Sequence, residues 1–432
     1  MEIKKFIVKN WHSFSRVDLE WKKFLNFIGE SNSGKSSLMN ALLFFFQLKN
    51  FDENNIEVHI KDKKHNLKMI LIFEEDKKSY ALKIDKAPNE KIKYLLNIND
   101  TNWNEISVEE FKNKLSTFRI FYLPAMINLK YLEKLFFDLW GKSKVEKVKK
   151  YYEIFEKAKS EKFSMGYYRK LFLEFLDETS DKDFKNKEVW NNTILIWEKP
   201  EFYFKPQEER ACYETLKENS NFNLNVIIST NSSRFIELED YKNLCIFRKT
   251  EDEIQVYQYK RELFYHDEVS IFNMNYWINP DRSELFFAKK VILVEGQTDK
   301  IVLSYLAKKI DIYNYDYSII ECGSKSTIPQ FIKLLNAFRI PYVAVYDRDN
   351  HKWRNKMEIE NSNIKNKRIQ RLVNKKIGKF VEFKNDIEEE IYEQDRERKN
   401  YKNKPFYALE KVMEKNYEIP KSLEKKLREI YK

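Results

Sequence analysis

Residues Gly29-Glu30-Ser31-Asn32-Ser33-Gly34-Lys35-Ser36 satisfy the pattern GxxxxGK[ST], with a strand-like run (FLNFIG) before it and a helical run (SSLMNALLFFF) after it. In that context the loop amides cradle phosphates at a helix N-terminus, which makes Gly29, Asn32, Ser33, Gly34 and Ser37 expected ATP contacts. Lys35 reaches the β- and γ-phosphates, and the Ser36 hydroxyl ligates Mg²⁺. A second chemistry is carried by carboxylates. Val291-Ile292-Leu293-Val294 reads as a buried strand ending on Glu295-Gly296, and YVAVY ends on Asp347-Arg348-Asp349. In a parallel sheet, carboxylates at strand C-termini gather on one edge, where ligands bind. Their hard oxygens select Mg²⁺ or Mn²⁺.

A third feature is a basic stretch. Residues 351–384 hold eleven Lys/Arg against three acids, in a chain whose formal charge is +11. That local excess suits a phosphate-binding surface, and Lys375, Lys376 and Lys379 are its candidate DNA contacts; a solvated face is the alternative. The seven glycines, at 29, 34, 141, 166, 296, 323 and 378, are few enough that each should mark a close backbone approach or a positive φ. Cys212, Cys245 and Cys322 are far apart and fit no zinc or CxxC spacing, which points to buried thiols. No apolar run approaches the roughly 18 residues of a spanning helix, so no membrane role is expected. The N-terminus lacks the apolar core of a signal peptide, so a cytoplasmic location is expected.

The elements that must position these residues are set by periodicity. Residues 1–48 read as strand, turn, strand, loop, helix. LKMILIF, SYALKI and KIKYLLNI predict an antiparallel meander over 67–97. A strand is expected at 119–125, a helical insert at about 127–160, strands at 192–198 and 224–230 with a helix between, and a closing hairpin near 243–260. A polar connector over 266–285 separates this region, 1–265, from a fresh strand–helix alternation over 286–432. The fold class is α/β: a mixed sheet with a meander, then a parallel sheet flanked by helices.

The opening IKKFIVKNWHSF followed by NFIGESNSGKSSLMNAL resembles ABC-type ATPase heads of the SMC, RecF and OLD (overcoming lysogenization defect) group. Phe163-Ser164-Met165-Gly166-Tyr167 resembles the LSGGQ signature. In such heads the equivalents of Ser164 and Gly166 contact the γ-phosphate on a partner's P-loop, which implies a homodimer or higher homo-oligomer. TILIWEKPEFYFKPQ resembles the Walker B strand and its turn, and VIISTNSS the subsequent strand and switch loop. On this alignment Trp197 replaces the Walker B Asp, Glu198 stands for the Glu that polarises water, and Asn231 replaces the switch His. The resemblance then implies firm ATP binding and slow hydrolysis.

The VEG strand and later DxD strand together resemble a TOPRIM domain. With IIECGSKSTIPQFIKLL, NDIEEEI and KNKPFYALEKV, the resemblance to OLD-family nucleases covers almost the entire chain. It implies metal binding by Glu295 and Asp299 on one side and by Asp347 and Asp349 on the other. It adds Glu388, with Glu389 or Glu390 as alternatives, and assigns Lys404 to the phosphorane charge. Two ions about 3.5–4 Å apart would activate water and clamp the leaving oxygen. The resemblance therefore implies an ATP-regulated, Mg²⁺- or Mn²⁺-dependent DNA endonuclease acting in anti-phage defence, alone or beside a partner protein. A topoisomerase would need a nucleophilic Tyr in a further domain, and a primase a zinc module. The non-enzymatic alternative is an ATP-switched DNA-binding clamp or a recombination or repair factor.

Overall fold

The computed structural model describes residues 1–47, 53–99, 101–180, 190–250, 253–264, 280–394 and 403–432; most of the expected connector lies outside them. The chain divides into two compact units, one made of Met1–Ile236 with Asp240–Gln258, the other of Glu237–Glu239 with Tyr259–Lys432.

In the first unit, β1 (Glu2–Trp11), β2 (Phe14–Glu20), β3 (Phe24–Gly29), α1 (Lys35–Gln47), β4 (Leu67–Glu75), β5 (Lys78–Lys86), β6 (Ile92–Ile98) and β7 (Asn104–Ile106) come first. After them stand α2 (Val108–Leu115), β8 (Arg119–Leu123), α3 (Leu129–Phe136), α4 (Glu146–Ser160), α5 (Met165–Ser180), β9 (Thr193–Glu198), α6 (Pro206–Asn221), β10 (Leu224–Thr230), β11 (Leu244–Lys249) and β12 (Ile254–Gln258). Strands β2-β1-β4-β5-β6-β7 form an antiparallel sheet containing the expected meander. Strands β12-β11-β3-β10-β9-β8 form a second sheet, parallel except for the β11–β12 hairpin. Helix α1 buries Leu38, Met39, Leu42, Phe44 and Phe45 because both sheets contribute to the core around it. The other face of the second sheet packs on an aromatic layer that includes Phe136, Trp140, Phe172 and Phe175 of the helical region.

In the second unit, β13 (Lys290–Val294), α7 (Gln297–Lys309), β14 (Tyr317–Glu321), α8 (Ile328–Ala337), β15 (Tyr342–Asp347), α9 (Lys356–Leu372) and β16 (Gly378–Phe383) alternate. The helices α10 (Ile387–Tyr392), α11 (Lys404–Met413) and α12 (Lys421–Tyr431) close it. The sheet order is β14-β13-β15-β16, all parallel. Helices cover it, so Val291, Ile292, Leu293 and Val294 are buried without alternation. The register Leu293↔Ala344 carries Glu295 up beside the end of β15, where Asp347 stands.

Candidate metal centre and nucleotide loop

Six acids line an open cavity of about 830 Å³ over the C-terminal edge of the second unit's sheet: Glu295, Asp299, Asp347, Asp349, Glu388 and, from the first turn of α9, Glu358. Glu295, one residue past β13, accepts the Asp347 N–H at 2.8 Å. Asp299, in the first turn of α7, accepts the Gly296 N–H at 3.0 Å and is buried. Asp349 lies just past β15 at φ +60°, its N–H bonded to the Asn385 carbonyl at 3.0 Å. Glu388, in the first turn of α10, pairs with Lys404 at 2.5 Å, an electrostatic contact without hydrogen-bond geometry. Its neighbours serve elsewhere. Glu389 accepts from Asn385 and Glu390 from the Lys384 N–H at 2.8 Å, so Glu388 alone of the three faces the cavity.

Crowding sets the electrostatics. Burial pushes the Glu295 carboxyl up. Burial, then the Glu295 charge, pushes Asp299 up to about 7. The same two causes hold Asp347 well above the usual carboxylate range. Asp349 goes the other way: burial would raise it, but Lys325 at 2.6 Å and Arg354 at 2.9 Å hold it low. Asp347 Oδ1 is buried and has no hydrogen-bond partner among the described residues. Among those residues no three Asp, Glu, His or Cys side chains enclose a common point as they stand. By donor type and by charge the set nevertheless fits a hard divalent cation: every donor is oxygen, and the acids outnumber the cations among them.

Arg354 and Lys365, from the basic stretch, line this cavity, and so do Lys325 and Ser362, which the sequence reading did not single out. The available signal was Gly323, whose φ of +77° turns the loop that delivers Lys325. The basic stretch 351–384 divides: Arg354 and Lys365 line the cavity, but the candidate DNA contacts do not stand beside it. Lys379 pairs with Val343, whereas Asp347 pairs with Phe383, four residues and about 13 Å along the strand. Lys375 and Lys376 precede β16 and lie at the same far end of the sheet.

In the first unit the nucleotide loop is built from backbone. A Cβ on Gly29 would fall 2.4 Å from the Phe247 carbonyl, and Gly34, at φ +93°, has Phe14 and Ile254 side-chain atoms at 2.9 Å. The loop therefore closes only with glycine at both positions. Trp11 Nε1 donates to the Ser37 carbonyl at 2.8 Å and ties the β1–β2 hairpin to the first turn of α1. Lys35 is buried, and its ammonium donates to the Gly29 and Glu30 carbonyls at 2.7 Å each and faces Ser33 Oγ at 3.4 Å. Burial, and after it the Lys199 charge, lowers it to about 8. Asn32 and Ser36 are exposed and Ser33 is buried.

The alternation of β9 corrects the Walker B reading. Leu195 and Trp197 point into the aromatic layer, whereas Ile194 and Ile196 face α1. Glu198 continues the second set and is the acid on the nucleotide-loop face. It draws on the Tyr122 hydroxyl, and its Oε1 is buried with no partner among the described residues. Trp197 therefore never occupies the acidic position; the next residue on that edge is Lys199. Glu201 accepts the Asn231 N–H at 3.0 Å and the Thr230 hydroxyl at 2.9 Å, and so fixes the loop after β10. Ser164 is exposed at the start of α5, and a Cβ on Gly166 would approach Tyr203 Cβ to 3.2 Å. On the same helix, Arg169 donates to the Lys199, Pro124 and Ala125 carbonyls at 2.9, 3.1 and 3.1 Å.

Comparison with known proteins finds a domain family in each unit. Residues 1–163 match the AAA ATPase domain family, and residues 286–349 match the TOPRIM domain of overcoming lysogenization defect protein-like proteins. The class is thus a P-loop ATPase head joined to a TOPRIM domain. The OLD nuclease of Thermus scotoductus is 30% identical over 198 residues, covering 41% of this chain and 37% of that protein. The Old nuclease of Escherichia phage P2 is 27% identical over 190 residues, covering 41% of this chain and 31% of that protein. The matches thus span well under half the length of either relative. Among solved structures, an SMC head domain from Thermotoga maritima is 13% identical at a TM-score of 0.39, over 60% of this chain and 100% of that chain. The chain thus carries an AAA ATPase domain over residues 1–163 and an OLD-like TOPRIM domain over residues 286–349, and is similar in part to two OLD nucleases. No helix among the described residues is long and apolar enough to cross a membrane.

Proposed function

We propose that this protein is a divalent-metal-dependent DNA endonuclease whose activity is set by ATP, acting in the cytoplasm in defence against phages. The observation that carries the reading is the buried, unpartnered Asp347 Oδ1 within a group of crowded acids beside Lys404, Arg354 and Lys365. Glu295, Asp299 and Asp347 would hold the cation, with Asp349 and Glu388 alongside; when bound, such an ion activates water and offsets charge at phosphorus. The chain's own groups do the rest. The exposed Lys365 attracts and positions the phosphate backbone. A Cβ added at Gly296, which lines the cavity, would meet nothing within 4 Å, so open space stands over that residue. Lys404, once drawn from Glu388 by a phosphate, stabilises the charge that develops on the non-bridging oxygens.

In the head, the Lys35 ammonium exchanges two carbonyl oxygens for the β- and γ-phosphates of Mg²⁺-ATP, with Ser36 towards the metal. Glu198 serves as the Walker B acid. Turnover is slow because Lys199 comes directly after it and Asn231 cannot exchange a proton. ATP acts as a bound signal that joins two heads through Ser164 and Gly166, and it restrains cleavage. The decisive experiment is plasmid cleavage by the purified chain with Mn²⁺ or Mg²⁺, with and without ATP, against Asp347→Ala. Metal-dependent cleavage lost in the variant is expected. DNA binding with no cleavage under any of these conditions would leave the ATP-switched clamp instead.

A further inference from the structure

The acids of the TOPRIM cavity do not share its cations evenly. Both oxygens of Asp349 are engaged, Oδ2 by the Lys325 ammonium at 2.6 Å and Oδ1 by the Arg354 guanidinium at 2.9 Å. Lys325 is buried, and it also donates to the Asp347 carbonyl and to Ser362 Oγ at 2.8 Å, with Glu295 Oε1 at 3.8 Å. A carboxylate, a carbonyl and a hydroxyl oxygen thus surround the ammonium, the kind of shell that a bound cation collects. Glu388 is paired with Lys404. Asp299 and Asp347, by contrast, have no ion-pair partner among the described residues, and their acceptors are met only by backbone N–H groups or not at all.

The charges count the same way. Glu295, Asp299, Asp347, Asp349, Glu358 and Glu388 are the six acids that line the cavity, and Lys325, Arg354, Lys365 and Lys404 are its four cations. Six minus four leaves two, the charge of one divalent ion. Of these cations Lys365, exposed on the rim, is the one that faces an incoming substrate phosphate. We infer that this centre holds a single divalent cation, on Glu295, Asp299 and Asp347, and that Lys325 with Arg354 fills the place at Asp349 that a second ion would take. A second dication beside Asp349 would lie against a buried ammonium that three oxygens hold in position, and at that range Coulomb repulsion is strong. The inference rests on the nuclease reading and departs from the two-ion arrangement that the sequence resemblance implies.

The test is Mn²⁺ stoichiometry on the full, nucleotide-free chain, measured by calorimetry and by the electron paramagnetic resonance of free Mn²⁺. One ion per wild-type chain is expected, with affinity reduced by about a hundredfold or more in Asp347→Asn. Lys325→Met should admit a second ion, and Lys325→Arg should keep one. Two ions on the wild type would overturn the inference and leave the nuclease reading intact; no ion at all would remove both. A Lys325→Met chain that folds and still takes one ion would overturn the role given to Lys325. Should that variant not fold, the wild-type count decides alone.

Discussion

In the ATPase unit the ligand edge is made of backbone, eight contiguous residues whose amides surround phosphate and whose lysine rests on its own loop carbonyls. In the TOPRIM unit it is made of side chains delivered by five separate segments, around residues 295–299, 323–325, 347–365, 388 and 404. Both lie at the C-terminal edge of parallel strands, yet one holds a cation with no ion pair among the described residues and the other holds acids in excess of their cations. The first awaits an anion, the second a cation. Strand edges therefore collect ligands of either sign, and the side chains at the edge, not the fold, decide which.

The two edges can be set against each other by experiment. The largest expected effect is on folding. Trp197→Asp places a carboxylate in the aromatic layer beside Phe172 rather than on the nucleotide side, and should cost about 3–5 kcal/mol from lost packing alone. Thermal melting measures it. A variant of unchanged stability that hydrolyses ATP faster would restore the reading in which Trp197 sits at the Walker B position. Glu198→Gln, in contrast, should lower turnover while the fold holds.

Next, Asp347→Ala should reduce cleavage by more than about a hundredfold, beyond what loss of an outer-shell contact causes, with DNA affinity largely kept. Retained cleavage would mean that the acid cluster is not the reaction centre. Lys35→Ala should weaken ATP binding by about ten- to a hundredfold, the range for a charged hydrogen bond. The wild-type site adds a pH signature. Lys35 is held at about 8, below the usual lysine value, so the free site loses its proton as pH rises through that point. ATP affinity should be flat below pH 8 and fall above it. A titration flat to pH 10 would show that the ammonium is not the phosphate ligand.

The smallest effect concerns DNA. Lys365→Glu should lower the salt slope of binding by about one contact. Charge reversal at Lys375, Lys376 and Lys379 should change it by less, because they stand at the opposite end of the sheet. Equal effects would place DNA across both ends.

The sequence by itself determined the nucleotide loop, because a loop that binds through its own amides is contiguous and its glycines are dictated by local geometry. It also determined the parallel sheet of the second unit and the strand-end positions of Glu295 and Asp347, since uninterrupted apolar runs that stop on a carboxylate are local patterns. The tertiary structure alone decided the rest. Whether Glu388, Glu389 or Glu390 enters the cavity depends on which of them Asn385 and the Lys384 N–H claim. Whether Trp197 or Glu198 meets the nucleotide depends on which face of β9 is covered by α1, an element about 150 residues earlier in the chain. Lys325 finds Asp349, and Lys379 is carried away from it, through strand pairings between distant segments. A short pattern shows which groups a segment offers; the charge each one meets is set by neighbours that only the packed chain supplies.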